Sequence, residues 1–116
     1  MNLPIFRDLY RLNVALLKDI QNIPKIYRHT LGDRIINTGL SALHQLQRAY
    51  DSAQPIKRLH EMSKFSTELE MLSTYLRIAN EARLIPLKRA TDLFVQLDNI
   101  KKQLAGWKKA TREKVS

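Results

Sequence analysis

Residues 69–107 read LEMLSTYLRIANEARLIPLKRATDLFVQLDNIKKQLAGW, and this stretch decides the fold. In its first half Leu69, Leu72, Leu76 and Ala79 recur at steps of three and four. In its second half Ala90, Leu93, Leu97, Ile100, Leu104 and Trp107 do the same. Such spacing gathers the apolar side chains on one stripe of an α-helix. Ile85-Pro86 separates the stripes, and a residue before proline is driven out of helical backbone. Two amphipathic helices joined by a short turn follow. Neither stripe is stable in water, so the rest of the chain must cover both.

Upstream, the prolines act as punctuation. Pro4, Pro24, Pro55 and Pro86 each stand near the start of an apolar-periodic run. Proline is tolerated in a first helical turn and disrupts an interior, so four such starts predict four helices. The first covers residues 4–21, with Ile5, Leu9, Leu12, Leu16 and Ile20 inward and Phe6 and Leu17 widening the stripe. The second opens either at Pro24 or at Thr30-Leu31-Gly32-Asp33, which resembles a capping box, and runs to about residue 52. Its stripe is Leu31, Ile35, Gly39, Ala42, Leu46 and Ala49. Gly32 and Gly39 each cost roughly 1 kcal/mol inside a helix, which points to a neighbour approaching closely there. The third covers residues 55–83, adding Leu59, Met62 and Phe65 to the stripe above. The fourth covers residues 87–108. Short connections between long helices make neighbours antiparallel, so the expected fold is an all-α, up-down-up-down four-helix bundle. Residues 1–108 form it, and residues 109–116 are expected to be a basic, flexible tail.

A chain of 116 residues is one domain and can bury a core without staples. It has no cysteine, which excludes disulfides, thiol nucleophiles and thiolate metal sites and fits a reducing cytoplasm. No apolar run is long enough to span a membrane, and the N-terminus does not read as a secretory signal. Catalytic chemistry finds no foothold. His29, His44 and His60 form no Glu-x-x-His pair of the kind that diiron bundles use, no phosphate-binding glycine loop occurs, and Glu68 and Glu70 point in different directions on their helix. No catalytic residue, metal or cofactor is expected.

Charge is the informative quantity. Twenty basic residues against eleven acidic give +9, and residues 86–116 alone hold eight basic and three acidic. Such a balance suits nucleic acid, an anionic surface or an acidic protein. Three basic sets stand out. Lys25, Arg28, His29 and Arg34 lie around the start of the second helix, where guanidinium forks match phosphate oxygens. Arg77, Arg83, Lys88 and Arg89 flank the turn between the third and fourth helices. In an antiparallel bundle these two turns share a pole, so the sets combine. Lys101, Lys102, Lys108 and Lys109, with Arg112 and Lys114, could track a phosphate backbone without reading bases. Each set also has a plainer reading as solvated, solubilising surface. Tyr10, Tyr27, Tyr50 and Tyr75 are too scattered for a base-stacking platform. Ile36, Leu40, Tyr75 and Ile78 lie off the main stripes and suit either a subunit interface or a thicker core.

The order of these features resembles one four-helix-bundle family with two branches. One branch is encoded in intervening sequences of bacterial large-subunit ribosomal RNA genes. The other is the accessory variability determinant of diversity-generating retroelements. The likeness rests on Ile23-Pro24-Lys25 with Arg28 and Thr30-Leu31-Gly32-Asp33-Arg34-Ile35, on Leu76-Arg77-Ile78-Ala79 with Leu84-Ile85-Pro86, and on Leu97-Asp98-Asn99-Ile100 with Leu104-Ala105-Gly106-Trp107. Leu3-Pro4-Ile5-Phe6 is similar to the retroelement branch, as are the basic charge and the Pro-Lys-x-x-Arg-x-Thr-Leu-Gly segment. Ala105 departs from a glycine found in some members. The resemblance implies a homopentamer with no catalytic centre that works with a reverse transcriptase and RNA or DNA in mutagenic cDNA synthesis. The alternative is a ribosomal-RNA-associated structural protein that binds an acidic protein partner instead of nucleic acid.

Overall fold

The computed structural model describes residues 3–115; Met1, Asn2 and Ser116, the outermost residues of the expected bundle and tail, lie outside them. Helix α1 spans Pro4–Ile20. A single turn α2, Lys25–Tyr27, runs through a π-helical segment, Arg28–Gly32, into α3, Asp33–Asp51, making one continuous arm. Helix α4 spans Pro55–Glu81 and α5 spans Leu87–Glu113. Four long arms result, and no strand occurs among the described residues. Each pair of neighbours, α1–α3, α3–α4, α4–α5 and α5–α1, packs side by side, closing a four-helix bundle of 50 × 23 × 23 Å.

The stripes read from the sequence form the core. Ile5, Leu9, Leu12, Leu16 and Ile20 of α1 meet Ile35, Ala42, Leu46 and Ala49 of α3. Met62, Phe65, Leu69, Leu72, Leu76 and Ala79 of α4 and Ala90, Leu93, Leu97, Ile100 and Leu104 of α5 complete it. Leu17 is an exception: it stands about half exposed on the outer edge of α1 and does not widen the core. Gly39 marks a close approach, because a Cβ there would sit 2.6 Å from Asn13 Oδ1 and 3.1 Å from Leu16 Cδ1. Asn13 cannot easily yield, since its buried amide donates to the Leu9 carbonyl at 3.0 Å.

The second arm opens directly after Pro24. The Thr30 alternative does not form: its hydroxyl donates backward to the Tyr27 carbonyl instead of capping α3. The last helix continues past Lys108 to Glu113. Thr111 explains the extension. It falls on the same face as Leu104 and Trp107, is buried, and donates its hydroxyl to the Trp107 carbonyl at 2.8 Å.

Two arginines add donors at helix ends. Arg28 donates from Nη2 to the Gln21 carbonyl at 2.9 Å and from Nε to the Ile23 carbonyl at 3.1 Å, beyond the end of α1. Arg58 does the same for α3 through the Ala49 and Tyr50 carbonyls at 3.2 and 2.9 Å, and its guanidinium lies 5.7 Å from the Trp107 ring centre.

Candidate nucleic-acid interface

The two turns that carry the first two basic sets do lie at one pole. Arg89, in the first turn of α5, reaches Asp19 in the last turn of α1 through two parallel hydrogen bonds of 3.0 and 3.1 Å. Ile23 and Ile85, one from each turn, are both buried in the same core. The pole therefore gathers Lys25, Arg28, His29, Arg83, Lys88 and Arg89. Arg77 lies about one turn of helix below it, and Arg34 lies nine residues along the second arm from Lys25.

These cations are not equivalent. The Arg89 guanidinium is held by Asp19 and, at 3.4 Å, by Asp92; the Asp19 hydrogen bonds push its pKa up. The two donors of Arg28 that bond to Gln21 and Ile23 face the end of α1. His29 stands 3.9 Å from Asp33, both well exposed. Lys25, Arg34, Arg77, Arg83 and Lys88 extend into solvent. Arg83 also takes the left-handed backbone region, with φ 60°, as the chain leaves α4. A positive φ on a side chain other than glycine, asparagine or aspartate is uncommon, and here the Leu84 N–H closes onto the Ala79 carbonyl at 2.8 Å.

The third set is not brought to the pole. Lys101 sits roughly 20 Å along α5 from Lys88, at the rise of one helical residue per 1.5 Å, and Lys108 and Lys109 approach the opposite end. Lys101 bonds Glu70 at 3.0 Å and Ser73 Oγ at 2.9 Å. Lys108 donates to Ser66 Oγ at 3.0 Å, and burial draws its pKa down. Both lysines stitch α5 to α4. Lys102 and Lys109 remain exposed.

Several polar links were invisible in the sequence. Asp8, on α1, accepts from Asn99 and Gln103 of α5 at 3.0 and 2.7 Å. Burial would raise its pKa, but hydrogen bonds from Arg7, Gln103 and Asn99 outweigh that and hold it below its ordinary value. Glu61 lines an open groove of about 500 Å³ at the opposite pole, with Arg48, Asp51 and Lys57. The Gln45 amide, 2.6 Å away, is the main cause of its lowered pKa; Lys64 and Arg48 add to it against the effect of burial. No group of His, Cys, Asp or Glu among the described residues could hold a metal ion. No helix among them is long and apolar enough to cross a membrane.

The result is a closed four-helix bundle whose cations are divided between internal clamps and open surface. The chain belongs to the bAvd-like family, the bacterial accessory variability determinants of diversity-generating retroelements, whose model it matches over residues 6–111. That is an accessory family and not a known enzyme. No curated protein matches the chain.

Proposed function

We propose that this chain is a non-enzymatic, cytoplasmic accessory protein of a diversity-generating retroelement. It holds RNA or DNA through exposed cations without reading sequence, and it partners a reverse transcriptase during mutagenic cDNA synthesis. The observation that carries this reading is the family match over nearly the whole bundle, in a chain with +9 net charge. Lys25, Arg34, Arg77, Arg83, Lys88, Lys102 and Lys109 are among the exposed cations that can meet phosphates, while Arg28, Arg89, Lys101 and Lys108 support the surface from within.

The same reading includes assembly as a homopentamer. One flank of the bundle supports an interface between copies. The α5 seams and the α3–α4 seam carry charged or polar links: Asp19 to Arg89, Glu61 to Arg48 and Glu70 to Lys101. Along the α1–α3 seam the outer rows are Phe6, Tyr10 and Leu17, then Ile36, Leu40, Leu43 and Tyr50, without a charge. Phe6 and Tyr50 pack edge to face at 5.8 Å, while Tyr10, Leu17 and Leu40 are 64, 48 and 49% exposed. Copies that each carry +9 approach most easily through a face without charge.

Titration of a labelled single-stranded oligonucleotide at rising salt tests the binding reading. Each phosphate neutralised steepens the fall of affinity with salt, so several exposed cations give a steep slope. A flat response, or none, overturns it.

A further inference from the structure

Two tetrapeptides open the second and fourth arms of the bundle, Ile23-Pro24-Lys25-Ile26 and Ile85-Pro86-Leu87-Lys88. They share a buried isoleucine and a proline of the same backbone conformation. Ile23 and Ile85 are both buried in the core. Pro24 has φ −55° and ψ 139°, and Pro86 has φ −57° and ψ 144°, each at the threshold of a helix. After each proline come one lysine and one aliphatic residue, in opposite order. Those aliphatics, Ile26 and Leu87, are 76 and 72% exposed. Side chains so exposed contribute little to folding. The buried isoleucine and the fixed proline φ make each turn a rigid hook, which reduces the ordering cost of binding through it.

Both hooks stand at the pole closed by Arg89 and Asp19, within a cross-section 23 Å wide. Residues 22–32 and 82–91 contain Lys25, Arg28, Arg83, Lys88 and Arg89 and no acidic residue; Asp33, Glu81 and Asp92 border these ranges, with Asp33 beside His29 and Asp92 beside Arg89. With Arg28 and Arg89 turned to internal partners, the pole offers two aliphatic tips and Tyr27 among Lys25, Arg83 and Lys88. A phosphate backbone would use the cations and leave the aliphatic tips without a counterpart. A polypeptide face that is acidic and carries aliphatic side chains would use both, as an apolar centre with a charged rim does in protein interfaces.

We propose that this pole docks an acidic polypeptide face bearing aliphatic side chains, with the two Ile-Pro turns as paired hooks. The proposal rests on the reading that the chain works beside a protein partner, and it narrows the phosphate-contacting set by giving Lys25, Arg83 and Lys88 to that partner, which leaves Arg34, Arg77, Lys102 and Lys109 for phosphates. A face of this width falls below the roughly 800 Å² per partner of a standard stable interface, so the contact is a modest, exchangeable one.

The test uses fluorescence anisotropy on the full chain with three probes. One is a helical peptide of about 15 residues with leucines on one face and glutamates on the other. The second has each leucine replaced by serine. The third is a single-stranded DNA oligonucleotide of about 15 nucleotides. The proteins are the wild type, I26S/L87S and I56S; Ile56 is a control because it follows Pro55 at the other pole and is 71% exposed. The leucine peptide should bind wild type and I56S alike and lose about tenfold or more in affinity with I26S/L87S, the scale of two lost aliphatic contacts. The serine peptide should bind weakly and equally to all three. Oligonucleotide affinity should not change. The proposal is overturned if the leucine peptide does not bind wild type, binds no better than the serine peptide, or ignores I26S/L87S. An oligonucleotide affinity that falls in step with the peptide also overturns it and gives the pole to nucleic acid. Failure of the nucleic-acid reading shows separately, as absence of oligonucleotide binding to wild type.

Discussion

Arg89 grips Asp19 as a fork across 70 residues of chain, Nε on Oδ1 and Nη2 on Oδ2. The pair clamps the end of α1 to the start of α5. Asp19 is buried, so removing its partner leaves a carboxylate both dried and unpaired, whereas removing both groups leaves a smaller fault. Arg89→Ala should therefore lower the urea midpoint more than the double variant Asp19→Asn/Arg89→Ala. Arg89→Lys should not restore it, because an ammonium cannot make two parallel bonds. A wild-type midpoint for Arg89→Ala together with weakened oligonucleotide binding would make Arg89 a ligand contact and not a clamp.

Gly39 and Gly106 make opposite predictions from the same substitution. At Gly39 an added methyl meets Asn13 and Leu16, both buried, so Gly39→Ala should cost about 1–2 kcal/mol in spite of the gain in helix propensity. At Gly106 a Cβ meets nothing within 4 Å, so Gly106→Ala should stabilise by roughly 0.5–1 kcal/mol. Chemical denaturation of both variants checks the pair.

Acid should loosen the bundle through Asp8 and Glu61. Both carboxyls titrate lower in the folded chain than their ordinary values. The unfolded chain thus binds more protons as pH falls through about 4, the ordinary carboxylate range. Their contribution is complete above that range and is lost as pH drops toward the folded values. Urea midpoints measured from pH 6 down to pH 3 should decline, and Asp8→Asn with Glu61→Gln should flatten that decline.

The uncharged α1–α3 flank predicts its own sensitivity. Leu17→Glu or Leu40→Glu places a carboxylate on a half-exposed site, which the folded chain tolerates. Either should convert an assembly that is a multiple of 13.5 kDa into a species of 13.5 kDa. Val95→Glu, on an exposed site of α5, should leave the mass unchanged. Light scattering coupled to gel filtration reads all three; unchanged mass in the Leu17 and Leu40 variants removes this flank as the interface.

What the sequence makes legible follows from the range of each force. The core stripes show because helix periodicity is local: Leu69, Leu72, Leu76 and Ala79 announce their shared face within eleven residues. The shared pole follows from counting short turns. Gly39 shows as a close approach because glycine is costly where nothing needs it. The roles of the cations do not show, since a sequence displays Arg89 without displaying Asp19 as its partner. Leu17 lies at the edge of its stripe, where only the neighbouring helix decides between core and solvent. Thr111 is polar, so the apolar pattern stops short of it. The π-helical turn at Arg28–Gly32 leaves no compositional mark. Ile26 hides among charged neighbours and reads as part of a basic cluster.

Arg28 and Arg58 have a consequence for fragments of the chain. Each donates to carbonyls at the end of the helix that precedes it, and Trp107, from the last helix, lies against Arg58. A chain cut before either arginine lacks the donors that close the preceding helix end. Early truncations should therefore be read as unfinished latches before they are read as missing surface.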